Sequence, residues 1–211
     1  MAQEIAIQND DGFAVNERGG NSLIKGIIAK FAKGTYRANK TEILEQAPDG
    51  PAYVVKGIVT AWVEWRNNRP VAHKITRTGQ LHPYREDFND LDESKWELDP
   101  GGVPRDPHRD TRYVYLINLQ SGKTYTLIGD SAGMRQAVGE LKVAIMNVRQ
   151  ARPGAHPVVQ LATASMPTKH GTTPRPDFKI VDWRGGTSTA PTQTQQQIEQ
   201  QVEDADNEIP F

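Results

Sequence analysis

Apolar and polar residues alternate most clearly in the middle of the chain. Ala52-Tyr53-Val54-Val55-Lys56-Gly57-Ile58-Val59-Thr60-Ala61-Trp62-Val63-Glu64-Trp65 is a long β-branched and aromatic run that predicts a central strand, bent at Gly57, with Asn67-Asn68 as the turn after it. Strict alternation puts Trp62 and Glu64 on one face and Ala61, Val63 and Trp65 on the other, so one of the two tryptophans is expected to point to solvent. Thr111 to Leu119 and Lys123 to Ile128 flank Gln120-Ser121-Gly122, with Tyr113, Tyr115 and Tyr125 alternating around the glycine turn, and predict a hairpin. The period then changes. Met134, Val138, Leu141, Ala144, Ile145 and Val148 recur at three and four residues after Ser131, which predicts a capped helix ended by Pro153-Gly154.

Two more strands are expected near residues 157–164 and 178–183. An earlier segment, Lys25-Gly26-Ile27-Ile28-Ala29-Lys30-Phe31, is β-rich and stops at Gly34, although its spacing also fits an amphipathic helix starting at Ser22. Residues 82–110 are rich in Asp, Glu, Pro and Gly and predict a long irregular loop. The fold class is therefore mainly β with one α-helix: strands and a single intervening helix suit an OB-like barrel, with an open α+β antiparallel sheet as the alternative.

The ends differ in character from this body. Residues 1–20 read as a flexible N-terminal arm, residues 21–184 as the folded domain, and residues 185–202 as a disordered Gly/Thr/Gln-rich tether too poor in apolar groups to form a core. The tether leads to an acidic tip at 203–211. All 25 Lys and Arg fall between Arg18 and Arg184, a span with 17 of the 26 acids, so the near-neutral net charge of -1 hides a basic body with acidic ends. That distribution suits a polyanion ligand.

Such a ligand needs cations for phosphates and aromatics for bases, and the strands interleave the two. The candidates are Lys30, Phe31, Lys33, Tyr36 and Arg37 in the first segment; Trp62, Trp65, Arg66, Arg69, Lys74 and Arg77 in and after the second; and Arg112, Tyr113, Tyr115, Lys123 and Tyr125 in the hairpin. About half of the aromatics are expected to fill cores.

Other chemistry finds little footing. There are no cysteines, which removes thiolate metal sites and cysteine nucleophiles. The five histidines lack ligand spacing, and the acids at 86–93 lack the EF-hand register. Gly122-Lys123-Thr124 is like the end of a phosphate-binding loop, but Ile117 stands where that loop needs glycine. No enzyme activity, metal or cofactor is expected. No apolar run approaches a membrane span, and the start lacks a signal-peptide layout, so a cytoplasmic location is expected.

The last nine residues, Glu203-Asp204-Ala205-Asp206-Asn207-Glu208-Ile209-Pro210-Phe211, combine long-range negative charge with an apolar anchor that Pro210 stiffens. This ending resembles the C-terminal tip of bacterial single-stranded-DNA-binding proteins, with Ala205 and Asn207 interrupting the usual aspartate run. The resemblance covers the tip alone. It implies partner docking by Asp204, Asp206, Glu208, Ile209, Pro210 and Phe211, the partners being DNA-processing enzymes of replication, recombination and repair: helicases, exonucleases, primases or polymerase-associated proteins. The expected function is a bacterial or bacteriophage protein that coats single-stranded DNA and recruits those enzymes, with homo-oligomerisation left open. The alternative is a phage or mobile-element adaptor that docks host proteins without binding DNA itself. A nuclease using acids from 86–110 is a third class.

Overall fold

A computed structural model describes residues 23–77, 80–169 and 171–187. The expected N-terminal arm at 1–20, the tether beyond residue 187 and the tip at 203–211 lie outside the described residues. The strands are β1 (Ile27–Ala32), β2 (Thr35–Ala38), β3 (Glu42–Leu44), β4 (Ala52–Arg66), β5 (Arg69–Thr76), β6 (Glu97–Leu98), β7 (Pro104–Arg105), β8 (His108–Asn118), β9 (Thr124–Gly129), β10 (His156–Thr168) and β11 (Gly171–Arg184). One helix, α1 (Ala132–Ala151), separates β9 from β10.

Nine of these strands form one sheet in the order β11-β10-β4-β8-β9-β1-β2-β3, with β5 also on β4. The fold is mainly β with a single helix, and the sheet curls strongly into a half-barrel. β4 organises it. One edge runs antiparallel to β8 along almost its whole length, while the other is divided between β10 at Ala52 to Val54 and β5 from Thr60 onward. The register shifts between Val55 and Gly57, the bend expected at that glycine.

Turn chemistry fixes the hairpins. Lys33 and Gly34 (φ 51° and 78°), and Asn67 and Asn68 (50° and 57°), are two-residue turns with both residues in the left-handed region, which matches the twist of the flanking strands. Between β8 and β9 the Asn118 carboxamide accepts from the Gln120 and Ser121 amides, and Gly122 takes φ 67°. The first segment is thus a strand, not the alternative helix: Gly26 holds φ 69°, and Ile27 to Ala29 pair in parallel with Tyr125 to Leu127.

α1 starts as its sequence predicts, with Ser131 Oγ accepting from Met134 N at 3.1 Å. Its buried face, Met134, Ala137, Val138, Leu141 and Ile145, fills the concave side of the sheet against Tyr53, Val55, Leu116, Leu127, Val159 and Phe178. A second cluster lies on the opposite face of the sheet: Val59, Ala61 and Val63 of β4 with Tyr113 and Tyr115 of β8 and Leu23 from the chain before β1. No helix among the described residues is long and apolar enough to cross a membrane.

The two ends of the strand order meet through side chains rather than a backbone ladder. Tyr36 of β2, fully buried, donates its hydroxyl to Ala162 O at 2.8 Å and accepts from Asp177 N at 3.0 Å. Burial pushes this phenol well above the ordinary tyrosine range. Nearby, Thr163 Oγ1 donates to Gln46 Oε1 at 2.5 Å, and Ala47 N donates to Leu161 O at 2.8 Å. Tyr36→Phe leaves Ala162 O and Asp177 N without this partner in a closed interior. The expected loss is about 1–3 kcal/mol in urea denaturation; an unchanged midpoint would remove the hydroxyl from the account of how the curl is held.

Candidate nucleic-acid interface

Strand alternation and register decide which of the sixteen sequence candidates share a surface. Lys30 and Arg37 sit directly opposite each other across β1 and β2, on the face that Ile28 also occupies. Ile28 pairs with Thr126, and Thr126 pairs with Tyr115. In the next row Ile128 pairs with Tyr113, and Tyr113 with Val59; farther along are Ala61 with Thr111 and Val63 with Arg109. Trp65 ends the row, with the Arg109 guanidinium 4.7 Å over its ring. One sheet face, turned away from α1, thus carries Lys30, Arg37, Tyr113, Tyr115 and Trp65. The Trp65 indole N–H is buried without an acceptor among the described residues, and the ring borders a shallow pocket lined by Asn68, Glu97, Arg105, Asp106 and Pro107.

The middle of that face is covered. The segment Leu23–Gly26 crosses it before entering β1: Tyr115 Oη donates to Leu23 O at 3.0 Å, Lys25 N donates to Thr126 Oγ1 at 2.8 Å, and Thr126 Oγ1 donates to Lys25 O at 2.7 Å. Lys25 Nζ lies 4.7 Å over the Tyr115 ring. Tyr113 and Tyr115 are each 5% exposed, and burial pushes the Tyr113 phenol up to about 12.

A second set lies on the other side of the β4-β5-β8 wing, under the long loop. Residues 82–107 form an ordered insertion with two short 3₁₀ turns (Arg85–Asp87 and Glu93–Lys95) and the β6-β7 hairpin. Trp62 Nε1 donates to Pro83 O at 2.9 Å, and its ring stacks on His82 with centroids 5.6 Å apart and planes 2° from parallel. Arg66 pairs with Glu64 and Asp90, both at 2.9 Å, while Lys74 Nζ lies 4.7 Å over Phe88. Arg112 forks onto both oxygens of Asp110. These cations and Trp62 anchor the insertion.

The remaining candidates divide by exposure. Phe31, Tyr36 and Tyr125 turn into the concave core, where Phe31 meets Tyr36 edge-on at 4.8 Å. In this conformation they offer no ring face to a base. Lys33, Arg69, Arg77 and Lys123 are exposed at turns or strand ends. Both tryptophans are half-buried, whereas alternation had suggested that one points outward: Trp62 is roofed by the insertion and Trp65 by Arg109. The sequence reading missed Leu23, Lys25 and Thr126. An apolar residue ahead of a glycine and a β-rich run was the available signal, but nothing in it names the face on which the segment lies.

A hydroxyl–imidazole–carboxylate chain joins the start of the insertion to β5 and β8. His82 Nδ1 is 2.6 Å from Thr76 Oγ1, and His82 Nε2 is 2.8 Å from Asp110 Oδ1. The carboxylate fixes the proton on Nε2, so Thr76 donates to Nδ1, the reverse of the ring orientation in serine-hydrolase triads. With Asp110 also paired to Arg112 and the ring stacked on Trp62, the chain's evident work is to seat the insertion.

His82 is held below the ordinary histidine range, chiefly by burial and with Arg112 nearby, against the opposing pull of Asp110. Below about pH 6.5 the unfolded chain therefore takes up this proton before the folded chain does. Stability falls as the pH drops from that value through the lower folded value. Thermal melts at pH 7 and pH 5 should show a smaller drop for His82→Asn than for the wild type. Parallel drops would assign the acid sensitivity elsewhere, for instance to His73 and His108, which burial also lowers.

Comparison of the chain with protein-family models, with curated proteins and with solved structures finds no match, so the chemistry of this face and of the C-terminal tip must speak for function.

Proposed function

We propose that the chain is a single-stranded-DNA-binding protein that coats exposed strands and recruits DNA-processing enzymes through its acidic tip. The observation that carries the reading is the single sheet face that joins the Lys30–Arg37 pair to Tyr113, Tyr115 and the Trp65–Arg109 stack. Cations in one row and rings in the adjoining rows are what a phosphate backbone with stacked bases requires, each stacked base contributing about 1–3 kcal/mol.

The connectivity supports an OB-type assignment. β4, β8 and β9 form a meander, α1 follows, and β10 returns to pair with β4 before β11. In barrels of that type the face of the second and third strands binds oligonucleotides, with the first-to-second and fourth-to-fifth connections beside it. Here those strands are β8 and β9, and the connections are residues 67–107 and the β10-β11 turn. The Trp65 N–H, buried and without an acceptor among the described residues, lies beside the first of them.

The covering of Tyr113 and Tyr115 favours a second reading, an adaptor whose body binds protein and whose tip docks host DNA-processing enzymes. Fluorescent oligo-dT and a matched duplex, titrated with the full chain at two salt concentrations, separate the two. The coating reading expects salt-sensitive, single-strand-preferring binding. Lys30→Gln with Arg37→Gln should weaken it and flatten the dependence of log affinity on log salt by about 1.4, from roughly 0.7 per phosphate contact. An unchanged slope would remove that pair from the interface, and inert behaviour toward DNA would leave the adaptor. Deleting Phe211 should abolish docking of tip-binding enzymes in pull-downs without weakening oligo-dT binding; a large loss of DNA affinity would count against the separation of body and tip.

A further inference from the structure

We propose that Leu23–Gly26 is a displaceable strap that gates the base-stacking face, so that single-stranded nucleic acid and the strap compete for Tyr115 and Thr126. This inference rests on the coating reading above and adds its regulation.

Three features point to it. The strap is not part of the sheet: the β1 ladder begins at Ile27, and the segment ahead of it is tied to the face by the hydroxyls of Tyr115 and Thr126. Side-chain hydrogen bonds of this kind each contribute little net free energy, because water or a ligand can replace them. The groups it occupies are also those a nucleotide would use: two hydroxyls that donate and accept, and a tyrosine ring over which the strap's own Lys25 ammonium lies at 4.7 Å. Finally, Leu23 is the one member of the apolar cluster on this face that comes from outside the strands, so among the described residues it supplies the cluster's plug.

Gly26 is the natural pivot. Its φ of 69° is the left-handed conformation that glycine tolerates, and a Cβ there would lie 2.2 Å from Thr124 O. The chain turns at this residue from the covered face into β1, which lets Leu23 to Lys25 lift while the Ile27–Tyr125 pairing stays in place.

Leu23→Ala removes the apolar anchor of the strap while leaving the Tyr115 and Thr126 hydroxyls and the tyrosine ring in place for the ligand. The full-length variant should bind oligo-dT about three- to tenfold more tightly than wild type, because less of the binding energy goes into opening the face. In the wild type, saturating oligo-dT should speed trypsin cleavage after Lys25. If the wild type binds oligo-dT with salt sensitivity but Leu23→Ala binds no tighter, and oligo-dT protects Lys25 or leaves its cleavage rate unchanged, the strap is structural and the coating reading survives without it. If neither protein binds oligo-dT, the coating reading falls and the gate with it. Should the variant fail to fold, the wild-type cleavage rate decides.

Discussion

The two ends of the curled sheet meet at a seam centred on one buried hydroxyl. The order β11-β10-β4-β8-β9-β1-β2-β3 is an open path, and an open path of this length would splay unless its ends were tied. Tyr36 ties them from β2 to both β10 and β11, with Gln46, Ala47 and Thr163 finishing the seam. Everything placed by the curl follows from that closure. The concave side becomes narrow enough for one face of α1 to fill, and the convex side brings Lys30 and Arg37 into the same surface as the tyrosines of β8.

Closure also sorts the cations. Arg66, Lys74 and Arg112 face the insertion and are matched there by carboxylates or a ring, so their attraction for a distant polyanion is largely spent. Lys30 and Arg37 stand side by side on β1 and β2 and are both exposed. Like charges directly opposite on neighbouring strands cost stability. A phosphate between them would relieve that cost, which gives the surplus of basic residues in the body a physical direction.

Much of the architecture was legible because it rests on local signals. Ser131 and the repeat from Met134 to Ile145 define α1, the β-branched run defines β4, and Asn67-Asn68 mark its turn. β5 escaped notice because it is exposed on both faces for most of its length, so Arg69 to Lys74 show no alternation, and Pro70 argues against a strand except at an edge. β2 and β3 are four and three residues long and have no pattern of their own. The candidate surface was legible as a list of residues but not as an arrangement. Interleaved aromatics and cations named the candidates, yet whether Tyr36 faces outward or seals a seam depends on a partner 126 residues away. No local reading supplies that distance.

The parallel pairing of β1 with β9 has a consequence for biosynthesis. β1 leaves the ribosome long before the strand it pairs with in parallel: Ile27 waits for Tyr125, and the Tyr36 hydroxyl waits for Asp177, 141 residues later. At about 5–20 residues per second that interval is roughly 7–28 s. Throughout it, an unpartnered edge and a buried-to-be tyrosine remain available to other chains. The exposed Lys30, Lys33 and Arg37 on the β1-β2 hairpin then serve a second purpose, as like-charged guards that discourage two nascent copies from pairing edge to edge.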